Sequence, residues 1–324
     1  MTSSAADGRA AAGAVTEQRN PRTTDIDVVP TLEVLRLLNG EDARVPTAVE
    51  KVLPQLAELV DAAAERVRRG GRLHYFGAGT SGRIAMLDAA ELPPTFGVGP
   101  GFATAHLAGG EAATRLAVEN AEDDLGAGRA AAEALGPEDV ALGISASGSA
   151  PYVAAALERA RERGALTALV SSNPGAPLGG SVDYHLAVDT GPEALTGSTR
   201  LKAGTAAKLV LNGFSTALMV RLGRCYSNMM VDVVPTNQKL RRRLVRILVQ
   251  ATGADEEAAR EALSRAGDDV KVALVSMLGA SPAPAARRAL EEAGGQVRAA
   301  LARLAPAGAE GASPAGATAP SSAP

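Results

Sequence analysis

The residues Gly77-Ala78-Gly79-Thr80-Ser81-Gly82 follow a short apolar run and open a helical pattern that reaches Glu91. Glycines let a backbone approach an anion closely. Thr80 and Ser81 set two hydroxyl donors beside the free N–H groups of a helix start, which is chemistry suited to a phosphate. Glu91 adds a carboxyl that can give or take a proton. The six residues also fit G-x-G-x-x-G, the dinucleotide fingerprint, which needs an acidic residue about 20 positions on to hold a ribose. That region reads Phe102-Ala103-Thr104-Ala105-His106-Leu107 and has no carboxylate. Adjacent hydroxyls favour a compact monophosphate. A glycine turn that serves packing alone is the plain alternative.

Two further segments repeat the theme. Ser145-Ala146-Ser147-Gly148 follows another apolar run, and Thr196-Gly197-Ser198-Thr199-Arg200-Leu201-Lys202 opens a long helix with hydroxyls and cations. A single Ser-Gly turn is an ordinary loop; the weight lies in the repetition. Glu119, Glu122, Asp123 and Asp124 fall on a predicted helix over 111–135, where Glu119 and Glu122 share a face. By pattern alone these are solvated charges. The three histidines, His74, His106 and His185, sit in or near predicted strands and read as packed side chains. With no G-x-S-x-G elbow, no H-E-x-x-H and no Cys/His cluster, serine-hydrolase and metal chemistry find no support.

The elements that must position these groups alternate. Strands are predicted at 73–76, 103–107, 140–144, 166–170 and 184–188, with helices over 81–92, 111–135 and 151–163. The first of these helices must end where Glu91 meets Leu92-Pro93-Pro94. Two more helices, 30–38 and 45–69, precede the first strand. The pattern predicts an α/β fold, a parallel sheet covered on both faces, with ligands at the C-terminal ends of its strands. From about residue 236 only helices are expected, over 255–266, 268–278 and 282–304. The expected organisation is a disordered tail (1–15), an α/β domain with N-terminal helices (16–235), a small helical domain (236–304) and a disordered Ala/Pro/Gly/Ser tail (305–324).

Composition narrows the partners. The 324 residues carry 36 acidic and 33 basic side chains. No basic block stands out beyond Arg241, Arg242 and Arg243, a solvated helix face, so nucleic acid is not an expected partner. The single Cys225 excludes disulfide scaffolding within the chain and fits a reducing cytoplasm. The N-terminus lacks the apolar core of a signal peptide. The most apolar helical stretch, 203–223, is interrupted by Lys208, Asn212 and Arg221, so no membrane span is expected. Without Trp, and with four Phe and four Tyr, the core must be Ala, Val and Leu.

Several motifs together resemble the N-acetylmuramic acid 6-phosphate etherases: Thr16-Glu17-Gln18-Arg19-Asn20, the glycine turn through Arg83, Asp88-Ala89-Ala90-Glu91-Leu92-Pro93-Pro94-Thr95, Ala117-Val118-Glu119-Asn120-Ala121-Glu122-Asp123, Ser145 to Gly148 with Pro151 and Tyr152, Ser172-Asn173-Pro174-Gly175, Thr196 to Thr205, and Asn228 to Val234. The resemblance runs from about Thr16 to about Gly295. It implies a three-layer sugar isomerase (SIS) domain over 16–235, a homodimer, and a carbon–oxygen lyase that uses no cofactor or metal. The reaction implied is cleavage of the lactyl ether of N-acetylmuramic acid 6-phosphate, in cell-wall sugar recycling. By resemblance Glu91 is the proton donor and Glu122 the base, while Glu119 matches a non-catalytic position. The phosphate set is Gly79, Thr80, Ser81, Ser145, Ser147, Gly148, Thr196, Ser198 and Lys202. Ala90, Leu92 and Ser145 depart mildly from the family's frequent residues, and none removes a catalytic group. A carboxyl that donates near neutral pH must be held protonated, for instance by burial. A sugar-phosphate sensor of the glucokinase-regulator type would need two such domains in a longer chain. An isomerase on the same fold would not need Glu-Leu-Pro-Pro-Thr.

Overall fold

The computed structural model describes residues 15–232 and 238–305. The tails predicted over 1–15 and 305–324 lie outside the described residues except for Val15 and Ala305, and so does the domain boundary predicted at 235–236. The chain divides between Leu222 and Gly223 into two compact units.

In the first unit three helices, α1 (Thr31–Asp42), α2 (Val45–Glu50) and α3 (Leu53–Arg68), precede β1 (Leu73–Gly77) and α4 (Gly79–Phe96). Then come β2 (Ala103–Leu107), α5 (Leu125–Ala131), β3 (Val140–Ile144), α6 (Pro151–Glu162), β4 (Leu166–Ser171), β5 (Tyr184–Ala187) and α7 (Lys202–Arg221). The five strands form one parallel sheet in the order β2-β1-β3-β4-β5. β3 and β4 are buried along their whole length, as a sheet covered on both faces requires. From β1 the chain steps one way to β2 and then returns to β3 on the other side. That reversal opens a crevice between the loops leaving β1 and β3, the usual ligand position in such sheets. The loops are the glycine turn and the Ser145 turn, and the register sets Gly77 beside Ile144.

Alternation along the strands sends Phe76, Ala141 and Leu169 to one face, where Leu135, Val153 and Leu157 from the α5–α6 side bury them. On the other face Tyr75 donates to Asp88 Oδ2 (3.0 Å) and Ser215 donates to Asp88 Oδ1 (2.9 Å). Asp88 thereby ties α4 to β1 and α7. Burial pushes its carboxyl up, and the two hydroxyl donors oppose that shift. Asp88→Ala would strand two buried hydroxyls and is expected to cost about 2–4 kcal/mol. A urea midpoint series checks this; a loss below about 1 kcal/mol would contradict it.

Three predicted elements differ. The helix expected over 45–69 is split, because Pro54 has no N–H to offer the Glu50 carbonyl. α4 runs through Pro93 and Pro94, where it was expected to stop. The prolines forfeit bonds only in its last turn, which Gly97 (φ 63°) closes by donating to the Pro93 carbonyl at 3.0 Å. The helix expected over 111–135 is instead two 3₁₀ turns, Gly110–Thr114 and Ala121–Asp123, followed by the short α5. Asn120 adopts a left-handed φ of 58°, and Asp124 starts α5 by accepting from the Ala127 N–H at 2.8 Å. Glu119 and Glu122 therefore do not share a helix face.

The second unit begins with a small hairpin that the sequence did not announce, β6 (Cys225–Tyr226) and β7 (Met229–Met230). Five helices follow: α8 (Gln238–Thr252), α9 (Glu256–Arg265), α10 (Val270–Leu278), α11 (Ala283–Glu292) and α12 (Val297–Leu304). Leu244, Leu248, Leu263, Leu274 and Leu290 fill its core. Arg241 of the basic cluster pairs with Asp268 at 2.8 Å. Among the described residues no helix is long and apolar enough to cross a membrane.

Candidate active site

The β1 turn is close to its steric limit. A Cβ on Gly77 would stand 2.7 Å from the Gly82 nitrogen, and one on Gly82 2.3 Å from Leu107 Cδ1. Only glycines let the chain reverse so sharply from strand to helix. Among the described residues no side chain caps the N-terminus of α4, so its first N–H groups remain as anion donors.

A cavity of about 280 Å³ lies at this point. Gly79, Thr80 and Ser81 line it from the β1 turn, and Ser145 and Ser147 from the β3 turn. Glu122 lines it from the second 3₁₀ turn. Ser145 Oγ accepts from the Gly148 N–H at 3.1 Å and lies 3.5 Å from Ser147 Oγ. Asn173 braces the turn through the Ser147 carbonyl at 3.0 Å. Gly148 (φ 69°) is absent from the wall; a Cβ there would meet Ala176 Cβ at 2.3 Å, so it shapes the loop. Arg83 donates to the Ala113 and Leu116 carbonyls, both 3.0 Å, and so fastens the segment that leads to Glu122.

The third polar stretch behaves differently. Gly197 and Thr199 line the cavity, whereas Thr196 and Ser198 do not. The α7 start is already occupied: Glu193, fully buried, accepts from the Lys202 N–H (3.0 Å) and the Ala203 N–H (2.9 Å). Lys202 does not face the cavity either. Its ammonium, fully buried, lies 2.6 Å from Glu41 Oε2 and 2.6 Å from the Pro192 carbonyl. Asn20 and Arg22 also donate to Glu41, and Arg22 first, then Lys202 and Asn20, hold that carboxyl at about 2 against the opposing effect of burial. The expected phosphate cation is thus half of a buried ion pair. Nothing local in the sequence marks Glu41 or Glu193 as its neighbours.

Glu91 is exposed on α4 and does not line the cavity. Because α4 is one uninterrupted helix, ten residues separate Ser81 from Glu91 by roughly 15 Å along its axis. Glu119 is also outside the cavity wall. Thr16 and Glu17 also line the cavity; the sequence assigns them no site role beyond their place in the Thr16-to-Asn20 motif.

The histidines serve packing. His74 Nδ1 lies 3.1 Å from His106 Nε2, and the His106 ring stacks on Phe76 at 4.6 Å. Burial lowers both, His106 to about 4. The unfolded chain therefore takes up protons first as pH falls below about 6.5. The stability these neutral rings contribute is complete above that value and is lost as pH drops toward 4. A His106→Phe variant should show a flatter Tm profile between pH 6.5 and 4 than the parent; an equally steep one would contradict the assignment.

Residues 55–161 match the model of the glucokinase regulatory protein N-terminal SIS domain, and residues 120–212 match the SIS domain. The parallel sheet with its flanking helices is accordingly a SIS fold. The chain is 57% identical to an N-acetylmuramic acid 6-phosphate etherase of Thermobifida fusca, over 82% of this chain and 87% of that protein. It is 51% identical to the etherase of Symbiobacterium thermophilum, over 82% and 88%. With that of Rubrobacter xylanophilus it shares 52% identity, over 83% and 90%. At these identities and coverages the chain belongs to the N-acetylmuramic acid 6-phosphate etherase family.

Proposed function

We propose that this chain cleaves the D-lactyl ether of N-acetylmuramic acid 6-phosphate, giving N-acetylglucosamine 6-phosphate and D-lactate. The observation that carries the reading is the joining of a phosphate-suited hydroxyl cradle and a carboxylate in one cavity, in a chain whose relatives bear the etherase name.

An ether oxygen at C3 is a poor leaving group. In the open-chain sugar the C1 aldehyde acidifies the C2 proton. Glu122 takes that proton, a carboxylic acid protonates the ether oxygen, and the C3–O bond breaks to release lactate. Water then adds its hydroxyl to C3 of the unsaturated sugar and a proton returns to C2. Each transfer by a placed carboxyl is worth ~10²–10⁴-fold. The N–H groups of the α4 start, with Thr80, Ser81, Ser145 and Ser147, hold the 6-phosphate and fix the sugar relative to Glu122.

The acid is Glu91, acting in the site of a second copy of the chain. Its distance from the cradle of its own α4 argues against service at that cradle. Leu87, one turn earlier on the same helix face, is 58% exposed in the single chain. A second copy packed on this face would bury Leu87 and supply the burial a proton donor needs. The assembly proposed is a homodimer with shared sites. A phosphorylated sugar is a cytoplasmic substrate, and lone Cys225 fits a reducing compartment.

Incubation with N-acetylmuramic acid 6-phosphate in ¹⁸O-water tests the reaction. Elimination and addition put the label on the sugar C3 hydroxyl and leave D-lactate with its original oxygen. Label in the lactate hydroxyl, or no D-lactate at all, would overturn the reading.

A further inference from the structure

The motif Thr16 to Asn20 has no part in the chemistry above, yet its first two residues form one wall of the cavity. Thr16 is 1% exposed, and its buried hydroxyl has no hydrogen-bond partner among the described residues. An unsatisfied buried hydroxyl is a cost that a protein rarely carries without a ligand or water to answer it. Glu17 is next to it. Among the described residues its carboxylate has no hydrogen bond or ion pair, although it is not adrift: Oε2 lies 2.9 Å from where a Gly197 Cβ would stand. Gly197 (φ 76°) leaves that space open and donates its N–H to the Thr16 carbonyl at 3.1 Å.

The wall is built with evident cost. Asn20 donates to Glu41 (2.8 Å) and to the Pro192 carbonyl (3.1 Å), and Thr23 donates to the Ala194 carbonyl (2.8 Å). The buried Lys202–Glu41 pair therefore joins the segment that carries Thr16 and Glu17 to the loop that carries Gly197 and Thr199. A buried ion pair is a weak source of stability but a good registration device.

A carboxylate in this cavity repels a phosphate and a lactyl carboxylate alike. What it accepts from is a neutral donor on the sugar. Resting on the etherase reading of the site, we infer that Glu17 is a substrate-binding residue that accepts a hydrogen bond from an N–H or O–H of the sugar, with the Thr16 hydroxyl as a second partner. It sets specificity for the sugar and takes no part in proton transfer.

Kinetics on the full-length protein separate these roles. Glu17→Ala is expected to raise KM ~10–100-fold with kcat within about threefold, the size of a lost charged hydrogen bond. Glu17→Gln keeps an acceptor oxygen and should recover most of that loss. Thr16→Val should lower affinity by about 3–10-fold with Tm equal to or above the parent's. Calorimetry with N-acetylglucosamine 6-phosphate, glucose 6-phosphate and 2-deoxyglucose 6-phosphate identifies the donor. A Glu17→Ala penalty missing only for the 2-deoxy sugar places it at C2, and a penalty on all three places it elsewhere on the sugar. KM and affinities within twofold of the parent for Glu17→Ala would overturn the inference. So would a kcat loss of 100-fold or more at unchanged KM in both Glu17 variants. Absence of D-lactate from the parent protein would instead sink the etherase reading, while the calorimetric series would still report on Glu17.

Discussion

A Glu122→Gln chain is expected to turn over N-acetylmuramic acid 6-phosphate ~10²–10⁴-fold more slowly than the parent, with KM within a few-fold. The substitution keeps the shape of a side chain in the cavity wall and removes only its capacity to accept a proton. Glu91→Gln is expected to lose a similar factor, although that residue is exposed in the single chain and far along α4 from the cradle. Glu119→Gln, outside the wall, should retain activity within about threefold. Steady-state kinetics with D-lactate detection, alongside Tm to confirm folding, check all three. Full activity in both Glu91→Gln and Glu122→Gln would refute the assignment of the two carboxyls.

Lys202→Met is expected to act on folding before it acts on catalysis. The ammonium is fully buried against Glu41 and the Pro192 carbonyl. Removing one partner of a buried pair costs about 3–5 kcal/mol, and the lower end applies because Arg22 still faces Glu41. For a unit of this size the loss corresponds to a fall in Tm of ~6–12 °C. Glu41 is held at about 2, below its unfolded value, so its contribution is complete above about pH 4.5 and fades as pH falls toward 2. The Lys202→Met penalty should shrink over that same acid range. A double variant with Glu41→Leu should lose less than the sum of the two single losses. Had Lys202 been a phosphate ligand, as the family resemblance implied, Lys202→Met would leave Tm unchanged and raise KM alone.

Much of the molecule is legible in its sequence, for identifiable reasons. The five strands of the parallel sheet are short, largely apolar runs between turn residues, and the observed β2, Ala103–Leu107, and β3, Val140–Ile144, have the predicted bounds. Parallel order follows from the alternation of strand and helix. The two hydroxyl turns are local signals, because each lies within a few residues of the end of one strand. What escaped is non-local or depends on one backbone angle. The helix expected over 111–135 fails at Asn120, whose left-handed φ no periodicity reveals. The roles of Lys202, Glu193 and Glu41 depend on contacts across up to 161 residues of chain. Lys202 reads as a free cation until that distant carboxylate is brought beside it. Pro93 and Pro94 point to a helix end because a proline usually stops a helix; here only the last turn bears the missing bonds. Thr16 and Glu17 enter the cavity through the tie between Asn20 and Glu41, again a long-range contact.

In the proposed mechanism the start of α4 forms a phosphate cradle, Glu91 near its end donates a proton, and the two ends serve different active sites. Co-expression of a Glu91→Gln chain with a Ser81→Asp chain tests this directly, each variant being inactive alone. In a shared-site dimer the mixed species has one site with an intact cradle from the first chain and an intact Glu91 from the second. Random pairing makes half the dimers mixed and restores one site in each, so D-lactate release should recover to about one quarter of the parent rate. If cradle and acid work within the same chain, every site in the mixture lacks one of them, and the rate would stay at the level of the separate variants.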